Sequence, residues 1–196
     1  MRSPKRFRFS NANVRLDGTH AFLSPSSPHW LRYTDEKLIE RLRTSEAAAK
    51  GSRLHETAAR LIQDGLHLQV NDRNRNIAQY VNDAIDFGLV PEQLIFYSFN
   101  CYGTADAIGF NAEEMFLRVH DLKTGFSKTT IDQLYVYAGL FCHEYSFKPF
   151  DICGELRIYQ GGEVRCYDLD PQELSFVYDR IQEADRLIEE SRAGEW

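Results

Sequence analysis

The stretch that decides the fold reads GTADAIGF (103–110), then MFLRVHDLKTG (115–125), then DQLYVYAGLF (132–141). Successive side chains on a strand point to opposite faces, so residues two apart share a face. Asp121 and Lys123 therefore point the same way. The Leu122 side chain between them faces the core, which leaves its carbonyl oxygen available as a hard ligand beside the carboxylate. The preceding strand brings Asp106 alongside through a short turn at 111–114. Two carboxylates and a carbonyl oxygen suit Mg²⁺ or Mn²⁺, because hard cations take oxygen ligands. Lysine is not a ligand in such a set; its ammonium is a compact charge that orients an attacking water and balances charge growing on a phosphate. The combination is an arrangement for phosphate hydrolysis. The competing account is an ion pair on an exposed strand edge, which fits most isolated D-x-K triplets. Here the apolar run MFLRV before the pair and the Thr-Gly turn after it put the charges at the end of a buried strand.

Upstream, SEAAAKGSRLHETAARLIQDG (45–65) spaces Ala48, Leu54, Ala58, Leu61 and Ile62 as an apolar stripe, which predicts a helix with His55 near its border. A neutral imidazole there can complete a metal's shell; the alternative is an ordinary residue at the edge of the core. Glu56 lies about 100° round the helix and cannot address the same ion equally well. Downstream, Gln133 and Tyr137 are four apart and share a helix face. Gln133 is placed to bond a substrate phosphate or to fix Lys123, and Tyr137 to contact a nucleic-acid backbone. A packed aromatic beside an exposed amide is the competing reading.

Further out, SPSSPHW (24–30) offers a serine N-cap with Pro28 in the first turn, and Trp30, Leu31, Leu38, Ile39 and Leu42 continue a helical pattern. Another helix is expected over 76–87, ended by Gly88. Three strands in meander order follow: QLIFYSFNCYG, TADAIGFN and MFLRVHDLK. After the Gln133 helix, DICGELRIYQ and EVRCYDL bracket Gly161-Gly162, a hairpin signal. A last amphipathic helix starts near Pro171 and uses Leu174, Val177, Ile181, Ala184 and Ile188. The expected class is α/β: an αβββαβ core with a mixed central sheet flanked by helices, preceded by extra N-terminal helices.

Taken in order, Gly51-x-x-x-His55, Gly103-x-x-Asp106, Asp121-x-Lys123 and Gln133-x-x-x-Tyr137 resemble the signature of the PD-(D/E)XK nuclease superfamily, in its RecB-like branch of phage and CRISPR-associated exonucleases. The match covers 51–141, about half of the chain. The resemblance implies a restriction-endonuclease-like core and hydrolysis of DNA phosphodiesters, with RNA left open as a substrate, in recombination, repair or phage DNA processing. It implies that His55, Asp106 and Asp121 hold one or two Mg²⁺ or Mn²⁺ ions with the Leu122 carbonyl assisting. Lys123 would activate water, and Gln133 and Tyr137 would complete the catalytic and substrate-binding set. One departure is Asp121, where this branch more often has glutamate. The alternatives are a non-cleaving DNA-binding or interaction module, and a nuclease subunit of a larger defence or replication complex.

Composition bounds the rest. At 196 residues and 43% apolar, the chain suits a single domain over 1–196. Its formal charge of −6 is unusual for bulk attraction to nucleic acid, so a partner protein or a homo-oligomer is expected to supply positive surface. The exception is the N-terminus, where Arg2, Lys5, Arg6, Arg8 and Arg15 precede the first acid, Asp17. Residues 1–20 thus read as a flexible basic arm, with Arg6 and Arg8 as candidate phosphate contacts. The four cysteines, Cys101, Cys142, Cys153 and Cys166, contain no C-x-x-C pair and no terminal trio, so neither structural zinc nor an iron–sulfur cluster is expected. Ala59 stands where H-E-x-x-H needs its second histidine, and there is no G-x-x-x-x-G-K-[ST] loop. No run approaches about 18 apolar residues, so no membrane contact is expected. Location in the cytoplasm, or in a host's cytoplasm for a phage protein, is the simplest expectation.

Overall fold

The computed structural model describes residues 7–10, 14–16, 21–44, 53–123 and 130–194. It is an α/β structure with one five-stranded mixed sheet flanked by helices. Its elements are α1 (Asp35–Thr44), α2 (Arg53–Gln63), α3 (Arg75–Asp86), β1 (Val90–Ser98), β2 (Cys101–Asn111), β3 (Phe116–Lys123), α4 (Asp132–Tyr145), β4 (Cys153–Gln160), β5 (Glu163–Asp168) and α5 (Pro171–Ala193), with three short 3₁₀ turns. The strands lie in sequence order. β1, β2 and β3 run antiparallel, β3 and β4 parallel, and β4 and β5 antiparallel. The single parallel step needs a crossover, and α4 supplies it.

Two cores form on the two faces. One buries β1–β4 residues such as Ile95, Ala105, Val119 and Ile158 against α4, α5 and α1; the other buries Ala107, Leu122 and Tyr159 against α2 and α3. α4 is buried along nearly its whole length, from Asp132 to Cys142, as a helix apolar on all sides must be. α5 places its expected residues Leu174, Val177, Ile181, Ala184 and Ile188 inward, and the Asp170 side chain accepts from the amides of Gln172 and Glu173 to start it. The β4–β5 turn takes positive φ at both Gly161 (63°) and Gly162 (83°), as a two-residue hairpin loop requires.

Three sequence expectations are corrected. The helical pattern through Trp30 and Leu42 is two pieces: a 3₁₀ turn at Pro28–Arg32, then α1 from Asp35. Tyr33 between them is extended, and the buried Arg180 holds the break by donating to the Tyr33 carbonyl at 3.3 Å and pairing with Asp35 at 3.4 Å. Ser27 makes no side-chain cap. The first strand also turns earlier than expected, at residues 99–100, so 101–103 belong to β2. Gly103 is not turn punctuation. A Cβ there would stand 2.7 Å from Pro25 Cδ and 3.3 Å from Tyr137 Cε1, so glycine lets two side chains close on the strand. Lastly, residues 7–10 of the expected flexible arm are pinned. Phe7 and Phe9 make edge contacts with Phe110, Phe141 and Tyr145, and the Ser10 amide donates to the Tyr145 hydroxyl at 2.8 Å. Most of the arm, with Arg6, lies outside the described residues, as do Gly51 and the 124–125 turn. Among the described residues, no helix is long and apolar enough to cross a membrane.

Candidate active site

The sheet forks. β2 pairs with β3 only from Ala107↔His120 to Asn111↔Phe116. Toward its start, β2 continues beside β1 as far as Cys101, while β3 continues beside β4 as far as Lys123. Between the prongs the Asp106 carboxylate takes the place of a main-chain acceptor: its Oδ2 accepts from the Leu122 amide at 2.8 Å. A carboxylate used as a strand spacer keeps its other oxygen free to face the cleft. That oxygen, Oδ1, lies 3.2 Å from His55 Nδ1 on α2.

Asp121 sits on the β3 prong, one residue before Leu122, and is 2% exposed. Its Oδ1 pairs with Lys123 Nζ at 3.0 Å, and the same ammonium donates to Gln133 Oε1 on α4 at 2.7 Å. The expectation that Asp121 and Lys123 share a face is met, and Gln133 fixes the lysine. The second oxygen, Asp121 Oδ2, is buried with no hydrogen-bond partner. An unpartnered buried carboxylate oxygen costs a few kcal/mol unless a cation answers it. Leu122 turns its side chain into the α2/α3 core as expected.

Sequence reasoning missed Glu92. The β1–β2 register runs Pro91↔Ala107 and Gln93↔Ala105, which sets Glu92 level with Asp106. Its φ of 48° is in the left-handed region that a residue with a Cβ enters at a cost of about 1 kcal/mol or more. Ligand atoms of His55, Glu92 and Asp106 all lie within 4.8 Å of one another. The available signal was a charged residue directly after Pro91, at the start of β1. Spacing alone does not reveal it, since the kinked backbone breaks the period of two.

The electrostatics of this group are unbalanced. Burial, then the neighbouring Asp106, holds Asp121 well above the usual carboxylate range despite Lys123. Glu92 is exposed as a residue, but its carboxyl is crowded by protein, and this loss of water with the charge of Asp106 pushes it up to about 7. The Asp106 hydrogen bond holds His55 above its ordinary value against partial burial. The buried Tyr80 hydroxyl of α3 is likewise pushed up, by burial and then by Asp106, Glu92 and Asp121. Without a cation, the cleft retains protons. His55, Glu92 and Asp106 bring one imidazole and two carboxyls within reach of a single ion, a donor set that fits a hard divalent cation, while Asp121, with its orphaned oxygen, stands on the other prong outside that trio.

Two expected contacts lie elsewhere. Tyr137 is buried, and its hydroxyl donates to the Thr104 carbonyl, so it braces β2 two residues before Asp106 and does not reach a bound backbone. Arg8 lies in the segment anchored on Tyr145, at the end of α4 remote from Gln133. Twelve residues of helix separate those anchors by about 18 Å. No family model matches the chain, and no curated protein matches it.

Proposed function

We propose that this chain is a divalent-cation-dependent deoxyribonuclease of the PD-(D/E)XK type, close to the RecB-like branch. The observation that carries the reading is the orphaned Asp121 Oδ2, buried beside the Asp106 carboxylate and the Lys123 ammonium at the fork of the sheet. The order of elements, βββ followed by a helix and a parallel strand with helices before it, supports the αβββαβ core that the motifs imply. His55, Glu92, Asp106 and Asp121 are the side chains that would hold Mg²⁺ or Mn²⁺, with the Leu122 carbonyl as a further donor. A bound divalent ion supplies Lewis-acid withdrawal of charge from the scissile phosphate and lowers the pKa of water.

The chain's own residues do the rest. Lys123, tethered by Gln133 and Asp121, keeps a fixed ammonium where negative charge grows on phosphorus-bound oxygen. Asp106 is held by the Leu122 amide through Oδ2, so a ligand that arrives at Oδ1 has only the His55 contact to displace. Tyr137 acts as a strut under the Gly103–Asp106 run. The complete Asp106, Asp121 and Lys123 set argues against a non-cleaving module. The charge of −6 favours a form in which a partner or further copies of the chain help hold the DNA.

End-labelled linear DNA and closed circular DNA, each incubated with and without Mn²⁺, test the reading. Loss of label from linear DNA in Mn²⁺ alone is expected, and attack on circles in addition would define an endonuclease. Absence of cleavage of both linear and circular DNA in Mn²⁺ and in Mg²⁺ would overturn it.

A further inference from the structure

Lys123 is the last residue of β3, on the side of the fork where β2 no longer pairs with it. Its main chain is supported by β4, through the Lys123↔Gln160 position, and by one side chain from the other face. That side chain is Asn76, in the first turn of α3. Its Nδ2 donates to the Lys123 carbonyl at 3.1 Å and to the Tyr159 carbonyl at 3.0 Å, and its Oδ1 accepts from the Gly162 amide at 3.3 Å. One amide thus ties the end of β3, the end of β4 and the β4–β5 turn to α3. Both amide hydrogens are spent. Among side chains of this length only asparagine offers two donors and an acceptor: aspartate has no donor, and serine has neither the reach nor the second hydrogen.

We propose that Asn76 is a positioning residue for Lys123, fixing the strand end from which the ammonium reaches Asp121 and Gln133. This inference rests on the nuclease reading. The ammonium spans two acceptors at 3.0 and 2.7 Å, so its placement depends on where the Lys123 main chain sits. A shift of about 1 Å in a reacting group costs up to about 100-fold in rate. The side chains that would hold the cation do not bond Asn76, and of the proposed donors only the Leu122 carbonyl adjoins the Lys123 main chain, so loss of Asn76 acts on turnover far more than on metal binding.

The test compares wild type with Asn76→Ala and Asn76→Asp in Mn²⁺ on linear DNA. Asn76→Asp keeps the acceptor for Gly162 and removes both donors to the carbonyls. The expected result is a fall in kcat of about ten- to 100-fold in each variant, with KM and calorimetric Mn²⁺ affinity within about two-fold of wild type. In single turnovers, Asn76→Ala placed on Lys123→Ala should cost nothing further, because groups acting as a unit are not additive. An unchanged kcat in a folded variant, a parallel loss of Mn²⁺ affinity, or a full additional loss on the Lys123→Ala background would overturn the proposal. Failure of both variants to fold would assign Asn76 to the fold alone and overturn it as well. Wild type inert on every substrate would instead sink the nuclease reading itself, an outcome distinct from a wild type that cleaves beside an unimpaired Asn76→Ala.

Discussion

Strand β3 carries two clusters of ionisable groups on its two sides, and they obey opposite rules. Toward α3, Arg118 pairs with Glu155 at 2.9 Å, and Arg157 with Glu155 at 3.2 Å and Asp83 at 2.9 Å. Tyr159 links Asp83 to His120, and both guanidiniums lie 4.6 Å from the centre of the Phe87 ring. Two cations meet two carboxylates, although His120 Nε2 and Arg157 Nε lack hydrogen-bond partners. There the facing His120 ring, Arg157 and Arg118 pull Glu155 down to about 2. Toward α4 and the cleft, Asp106, Asp121 and Glu92 face one lysine, paired with Asp121, and one histidine, paired with Asp106, and two of the three carboxyls are pushed up. The matched cluster holds β3 and β4 against α3. The mismatched one is a standing request for positive charge, and strain of that kind marks a site better than the number of charges does.

The comparison breaks most visibly at Asp121. Asp121→Asn should lower Mn²⁺-dependent cleavage by at least about 100-fold while stabilising the metal-free protein by roughly 1 kcal/mol, since it removes a repelled charge. Cleavage at the wild-type rate, or a less stable metal-free variant in denaturant titration, would contradict the account. Lys123→Ala should slow turnover by about 100-fold with calorimetric Mn²⁺ affinity retained. On the matched side, Glu155→Gln should cost about 2 kcal/mol of stability by stranding Arg118 and leaving Arg157 to Asp83 alone, and leave the rate per folded molecule unchanged; equilibrium unfolding and an active-fraction assay read the two quantities. His55→Ala should weaken Mn²⁺ binding by about ten-fold, and an unchanged titration would return His55 to an ordinary partner of Asp106.

The smallest effect is on pH dependence, and it has opposite signs in the two clusters. A carboxyl raised in the fold keeps a proton that the unfolded chain has lost, so between about pH 4 and pH 7 the metal-free protein should lose stability as pH rises. Glu155 is depressed: its stabilisation is present above about pH 4 and disappears as pH falls toward 2. Saturating Mn²⁺ should abolish the first slope and leave the second, with protons released on binding below pH 7. Thermal unfolding across pH with and without Mn²⁺ separates the two; a slope between pH 4 and 7 that Mn²⁺ does not change would end the distinction.

Much of the mismatched cluster is legible in the chain because period-two spacing does not depend on neighbours. Asp121-x-Lys123 and the helical pairing of Gln133 with Tyr137 follow from it, and each lands on the element expected. What spacing hides is where elements stop being regular. Glu92 reaches the cleft through a left-handed residue, the β1–β2 turn is displaced because Gly103 serves close packing, and the break before α1 is held by Arg180 from the far end of the sequence. Tyr137 has the expected place and a different task, since burial removes it from substrate. Arg8 shows the limit of composition: two flanking phenylalanines, and not its charge, decide where it sits.

Only five residue pairs join the two prongs of the sheet. Asp106 and Glu92 ride on one prong and Asp121 and Lys123 on the other, and beyond the ladder the Leu122 amide bonded to Asp106 Oδ2 ties the two together, so any opening that widens the gap between opposing ligands must stretch that bond. The joint is thus a caliper with a stop: that one bond limits how far its jaws part, and with it the radius of cation the cleft accepts.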